Sequence, residues 1–281
     1  MGIVFAVASL LCLLFNSLVL LAFFRDPLKK FRKLFNFLLI HLCFCDLLAG
    51  MVCFPITSYG SFAFTDEKFL DVFTNVNYVA LPLLNAGFYT TVTLSYDRYR
   101  AITKPIEYRQ IADSKHFVCY TAFVWIVSLV LAAVFFSFKT ITESLIMNFV
   151  ICFTVPIFLV VMLIRVHRVL GSNSGDTVTD VLLSTEASQT RLMNERRALT
   201  TCKLIFLLQL LTILSVLAAD IYIEVNNNKK RTLSEQVLLK YIFFLPLLFS
   251  KIGNPLICIF RMTDFKDSLK ALFTFTSERR E

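Results

Sequence analysis

The chain has 281 residues, of which 57% are apolar and only 17% charged, with a formal net charge of +8. Soluble domains carry roughly 45–50% apolar and about 25% charged residues, so the composition argues against a soluble enzyme or binding domain. The apolar surplus comes in blocks of about 20 residues, each able to cross a hydrocarbon layer of roughly 30 Å, and only as a helix, because lipid offers no partner to unpaired backbone groups.

Seven such blocks follow one another, at about 1–24, 34–57, 70–99, 117–138, 144–170, 195–224 and 236–260. The expected architecture is all-α: one seven-helix membrane domain over 1–281, with a short amphipathic interfacial helix at 261–273. The first block has no basic start and no convincing small-residue cleavage site, so it reads as a retained span rather than a leader. Its overhang is almost nil, and no N-terminal ligand-capturing domain is expected. It carries Asn16, in CLLFNSLVLL, and the second block carries Asp46, in LLIHLCFCDLLAGM. The third ends in a crowd of charge, LSYDRYRAITKP at 94–105. The sixth is preceded by SNSGDTVTDVLLSTEASQT (172–190), whose polarity predicts a solvated linker and, second, a phosphorylation target.

The last block reads LPLLFSKIGNPLIC. Lys251, Asn254 and Cys258 recur at helical spacing and share one face, which should point into the bundle. Pro255 brings no backbone donor, so it leaves a carbonyl free for a polar neighbour to satisfy. Charges in mid-membrane cost at least a few kcal/mol and mark function, which singles out Asp46 and Lys251. In 260–273, Phe265, Leu269 and Leu272 fall opposite Lys266 and Lys270, as suits a helix lying in the interface. Taken alone, a polar face with a proline also fits a transporter or channel.

Charge sets the orientation. Loop 25–33 holds five Lys and Arg residues, 98–115 five, 165–203 six and the stretch from Arg261 five, which makes 21 on one side. The other side holds six, and Lys251 lies within a span. That bias puts the C-terminus in the cytoplasm and the N-terminus outside. The positive charge therefore reads as membrane orientation, not nucleic-acid binding. All eight cysteines fall in or at the edge of apolar blocks, so they read as packing residues; neither an outer disulfide nor a metal site is expected.

In order along the chain stand Asn16, Asp46 in CDLLAG, DRYRAITKPIEYR at 97–109, Trp125, Pro156, NPLIC at 254–258 and FRMTDF at 260–265. With these motifs on seven spans, the sequence resembles the rhodopsin-like family of G-protein-coupled receptors over nearly its whole length. The resemblance implies a receptor in the plasma membrane that passes an extracellular signal to a heterotrimeric G protein, with receptor kinases and arrestin as further partners and lipid around it. It implies no enzyme activity and no cofactor. Asp97, Arg98 and Tyr99 would form the coupling switch, with Arg98 held at rest by Asp97 and by Glu195 at the start of the sixth helix. Ile106 would touch the G protein, and Asn254 and Pro255 would belong to the moving part of the last helix. Asn16, Asp46, Lys251 and Asn254 would make a polar core. Two alternatives stay open: a receptor-like protein that no longer signals, and a seven-helix transporter or channel.

Several positions depart from the family pattern. Phe73 stands where the third helix usually has a cysteine, and Cys258 and Ile164 where two tyrosines are usual. Counting from Glu195 puts Thr212–Ser215 in place of Cys-Trp-x-Pro. Ala80 stands where amine receptors carry an aspartate, and Leu248 where opsins carry their lysine, so neither class is favoured. The outer half offers Asn77, Leu81, Asn85, Asn148, Asp220, Tyr241 and Phe244 as a mixed pocket for an unknown ligand. Asp220 would attract a basic ligand, or else pair with nearby lysines. The family's aspartate matching Asp46 commonly helps to bind sodium. The matching place on the third helix is Gly87, which supplies no ligand, and Lys251 shares the face that should look at Asp46. A Lys251–Asp46 salt bridge is therefore expected in place of a sodium site; the alternative is a snorkelling Lys251 and a protonated Asp46.

Overall fold

The computed structural model describes residues 2–28, 31, 34–63, 66–104, 107–108, 114–137, 186–225 and 233–278, with scattered positions between 157 and 168. Most of the expected fifth span lies outside these residues, as do Ile106, Asn148 and Pro156. The described elements are helices: α1 (Gly2–Arg25), α2 (Leu34–Leu48), a π-helical turn (Ala49–Cys53), α3 (Phe54–Ala63), α4 (Asp66–Thr103), α5 (Ser114–Ser137), α6 (Glu186–Val225), α7 (Leu233–Arg261) and α8 (Thr263–Glu278). Four described segments are long and apolar enough to cross a membrane, namely Gly2–Arg25, Leu34–Phe62, His116–Ser137 and Arg196–Ser215. Leu245–Arg261 together with Thr263–Leu272, bent by 85°, makes a fifth if the pair is one span.

The helices pack inside-out relative to a water-soluble bundle. On α1 the buried stripe is Phe5, Ala8, Ser9, Cys12, Asn16 and Val19, while Ile3, Val7, Leu10, Leu14 and Leu21 are exposed. Small and polar residues face the neighbours and large aliphatics face out, as lipid requires. α5 buries a narrower stripe, Val124, Ser128 and Ala132, and exposes Phe123, Ile126, Leu129 and Val130. α4 is interrupted by Thr, Ser, Asn and Tyr. Its buried Thr90, Thr91 and Ser95 are satisfied within the helix: Thr90 donates to the Ala86 carbonyl at 2.6 Å, Thr91 to Gly87 at 3.1 Å and Ser95 to Thr91 at 3.0 Å.

Element contacts close a ring. α1 packs on α2, α2 on α4, α4 on α6, α6 on α7 and α7 back on α1, with α5 outside against α2 and α4. Asp46 on α2 therefore faces the interior of the ring. α1 ends where Asp26 takes a φ of 31°, the left-handed conformation that often closes helices, and Pro27 follows it. The approach of α1 to the π turn requires a glycine. Ser9 Oγ donates to the Gly50 carbonyl at 2.7 Å, and a Cβ at Gly50 would lie 2.8 Å from Cys12 Sγ. Gly50→Val should cost about 1–3 kcal/mol by overpacking, read as a lowered melting temperature in detergent. An unchanged melting temperature would mean that α1 is not seated there.

The two largest boundary differences from the sequence expectation fall in the second and sixth spans. The second span continues through the π turn to Ala63, beyond 57. α6 begins at Glu186, so 186–190 are helical rather than linker. The run Glu186, Ala187, Gln189, Arg191, Leu192, Met193 is rich in helix formers, and that preference outweighs its polarity. α8 turns its apolar stripe onto protein. Phe265 and Leu269 are buried, and the Phe265 ring centroid lies 4.6 Å from that of Phe31.

Candidate functional site

Two buried charge clusters lie in the ring, the first built from residues close in the sequence and the second from residues far apart. The first sits near the C-terminal end of α4. Asp97 and Arg98 are 3% and 4% exposed. Arg98 donates to Asp97 Oδ2 from Nε at 3.0 Å and from Nη2 at 2.5 Å. Tyr108 completes the cluster, donating its hydroxyl to Asp97 Oδ1 at 2.8 Å and accepting from Arg98 Nη2 at 3.1 Å. The Arg98 guanidinium carbon lies 4.3 Å from the centroid of the Phe35 ring on α2, a cation–π contact. Phe35, Arg98, Arg197, Arg261 and Thr263 line one cavity at this end, where α2, α4, α6 and the α7–α8 junction meet.

A buried ion pair of this kind is stable only as a pair. Taking one partner away leaves an uncompensated charge and costs about 3–5 kcal/mol. Arg98 can therefore leave Asp97 only for another partner of comparable strength. Tyr99 lies on the same turn, half-buried, with its ring stacked near Tyr96 at 6.5 Å. Glu195 is on α6, but its side chain lies outside the described residues.

The second cluster lies mid-bundle. Lys251 Nζ donates to Asp46 Oδ1 at 2.5 Å, and Asn254 Nδ2 donates to Asp46 Oδ2 at 2.8 Å. Lys251 is 3% exposed, and Asp46 and Asn254 are fully buried. Each carboxylate oxygen thus has a donor. Pro255 carries no N–H, which leaves the carbonyl of Lys251, four residues back, without its helical donor. Asn16 supplies one from α1, with Nδ2 at 3.3 Å, and it also donates to the Cys12 carbonyl at 2.9 Å. Cys12 Sγ donates to the Asp46 carbonyl at 3.2 Å. A proline-induced vacancy on α7 is in this way tied to α1, and α1 to α2.

The expected polar core, Asn16, Asp46, Lys251 and Asn254, is brought together. The expected ligand pocket is not described as a unit. Leu81 and Asn85 are half-buried on α4, while the side chains of Asn77, Asp220, Tyr241 and Phe244, and all of Asn148, lie outside the described residues. A cavity lined by Phe5, Phe54, Thr57, Val76, Ala80 and Leu247 reaches Lys251, and neither Leu81 nor Asn85 is among its described lining. Sequence reasoning gave no role to Tyr108, Phe35 or Gln209. Tyr108 stood inside the quoted DRYRAITKPIEYR stretch, but its return onto Asp97 depends on the chain turning after Lys104.

The 7 transmembrane receptor (rhodopsin family) sequence pattern matches residues 15–258, which takes in both clusters. The chain belongs to this receptor family. Its members are receptors rather than enzymes, and this receptor is a multi-pass membrane protein. It is 28% identical over 157 residues to the muscarinic acetylcholine receptor gar-2 of Caenorhabditis elegans, covering 50% of this chain and 24% of that one. It is 30% identical over 135 residues to dopamine receptor 2 of the same organism, covering 47% and 16%. The allatostatin-A receptor of Bombyx mori is 30% identical over 131 residues, covering 46% and 36%. The matched part of the receptor thus spans well under half the length of each of these relatives.

Proposed function

We propose that this receptor spans the plasma membrane seven times, with its N-terminus outside, and couples an extracellular ligand to a heterotrimeric G protein. Asp97, Arg98 and Tyr99 are the switch, and movement of α6 frees Arg98 for the G protein. Ile106 and Glu195 act with them, and Asn254 and Pro255 give α7 its deformable point. Receptor kinases and arrestin are further partners. The single observation that carries the reading is the buried Asp97–Arg98 pair, closed over by Tyr108, at the mouth of a cavity walled by α2, α4, α6 and α7–α8. Such a pair is a latch, because the guanidinium is already desolvated and changes partner rather than entering water.

At mid-bundle the Lys251 ammonium takes the place of an exogenous cation on Asp46. The relatives' names span acetylcholine, dopamine and allatostatin, so they do not choose a ligand class for this chain. Asp97→Asn tests the latch. It weakens the hold on Arg98 by about 1.4 kcal/mol or more, so basal nucleotide exchange on the G protein should rise about tenfold. Basal exchange equal to that of the wild type would rule out Asp97 as the restraint. A second reading, a receptor that no longer signals, draws on Cys258, which is fully buried where a family tyrosine would stand. Exchange absent from both wild type and Asp97→Asn would favour it.

A further inference from the structure

Gln209 is a polar residue set within the leucine-rich run KLIFLLQLLTIL of α6, and it is only 6% exposed. A buried amide is costly unless it is hydrogen-bonded. Its Nε2 donates across the bundle to the Gly87 carbonyl on α4 at 3.2 Å, and its Oε1 has no hydrogen-bond partner among the described residues. Gly87 is itself set against the ion pair. A Cβ there would lie 3.3 Å from Lys251 Nζ, 3.5 Å from Leu42 Cδ1 and 3.9 Å from Gln209 Nε2. The ammonium, the α6 amide and the bare α4 backbone therefore converge on one small volume. Lys251 cannot yield freely to an added methyl group, because Asp46 holds its nitrogen at 2.5 Å.

We infer that Gly87 and Gln209 are positioning residues for the Lys251 ammonium: Gly87 leaves the room it occupies, and Gln209 closes that room from α6. The Asp46–Lys251 pair is then held in place only while α6 is docked on α4. A displacement of α6 withdraws Gln209 from the Gly87 carbonyl, opens the seat of the ammonium and loosens the tie between α7 and α2. Gln209 Oε1, which has no hydrogen-bond partner among the described residues, leaves an open acceptor in the same amide group. The seat itself rests on no assumption about signalling; its consequence for α6 movement rests on the receptor reading above.

The test is a double-mutant cycle in melting temperature, measured on the full chain in detergent. Gly87→Ala should lower the melting temperature of the wild type by about 4 °C or more. In an Asp46→Asn/Lys251→Ala background, where the ammonium is gone, it should cost less than about 1 °C. Gln209→Leu should behave in the same way, destabilising only when the pair is present. Relief by removal of the pair is a result that packing against Leu42 alone would not give. Equal losses in both backgrounds would overturn the inference. Where Gly87→Ala yields no folded protein, the Gln209→Leu arm decides by the same criterion. G-protein activity does not enter this measurement, so its failure is separate from any failure of the receptor reading.

Discussion

Lys251→Met should destabilise the receptor by about 3–5 kcal/mol, among the largest losses of any single substitution in the bundle. The substitution nearly keeps the side-chain length and removes the charge, so Asp46 is left fully buried with Asn254 as its remaining side-chain donor among the described residues. Removing both charges is milder, because an uncompensated buried charge costs more than an absent pair. Lys251→Met with Asp46→Asn should therefore recover part of the loss. Sodium provides a second arm. It should not selectively stabilise the wild type, whose carboxylate already has its cation, and it should stabilise Lys251→Met relative to a larger monovalent cation. Thermal unfolding in detergent reads both arms. A wild type strongly and selectively stabilised by sodium would remove the built-in cation from the account.

The second large effect concerns coupling. Arg98→Ala should reduce G-protein activation by on the order of tenfold or more, which corresponds to about 1.4 kcal/mol or more of lost interaction. Removing Arg98 also leaves Asp97 buried without its cation, with Tyr108 still donating to it at 2.8 Å, so part of the surface expression is lost as well and activation is compared per surface receptor. Activation is read in a cell line where the wild type signals, with surface protein counted in the same cells. Undiminished signalling per surface receptor would place the coupling outside this cluster.

What the sequence made legible followed from cost. A charge within an apolar block needs a partner, so Asp46 and Lys251 pointed at each other, and the structure places them 2.5 Å apart. The free carbonyl four residues before Pro255 followed from the missing N–H, while its donor, Asn16, lies 235 residues away and emerges only from the closing of α1 on α7. The same holds for Gln209 and Gly87, 122 residues apart: a glutamine in a leucine run signals that a partner exists without naming it. The start of α6 at Glu186 was hidden because serine and threonine suggest a linker, although the helix formers among them favour the helix. The π turn at Ala49–Cys53 has no clear sequence mark. It coincides with the place where Gly50 lies against Cys12 of α1.

On the proposed mechanism Arg98 is a latched residue, released to act on a G protein. The most direct measurement of this is guanine-nucleotide exchange on a purified heterotrimeric G protein. The receptor is reconstituted in vesicles as wild type, Asp97→Asn and Arg98→Ala, at equal amounts of folded protein. Exchange should be highest for Asp97→Asn, lower for the wild type, and indistinguishable from empty vesicles for Arg98→Ala. Exchange that is the same for all three proteins would contradict that mechanism.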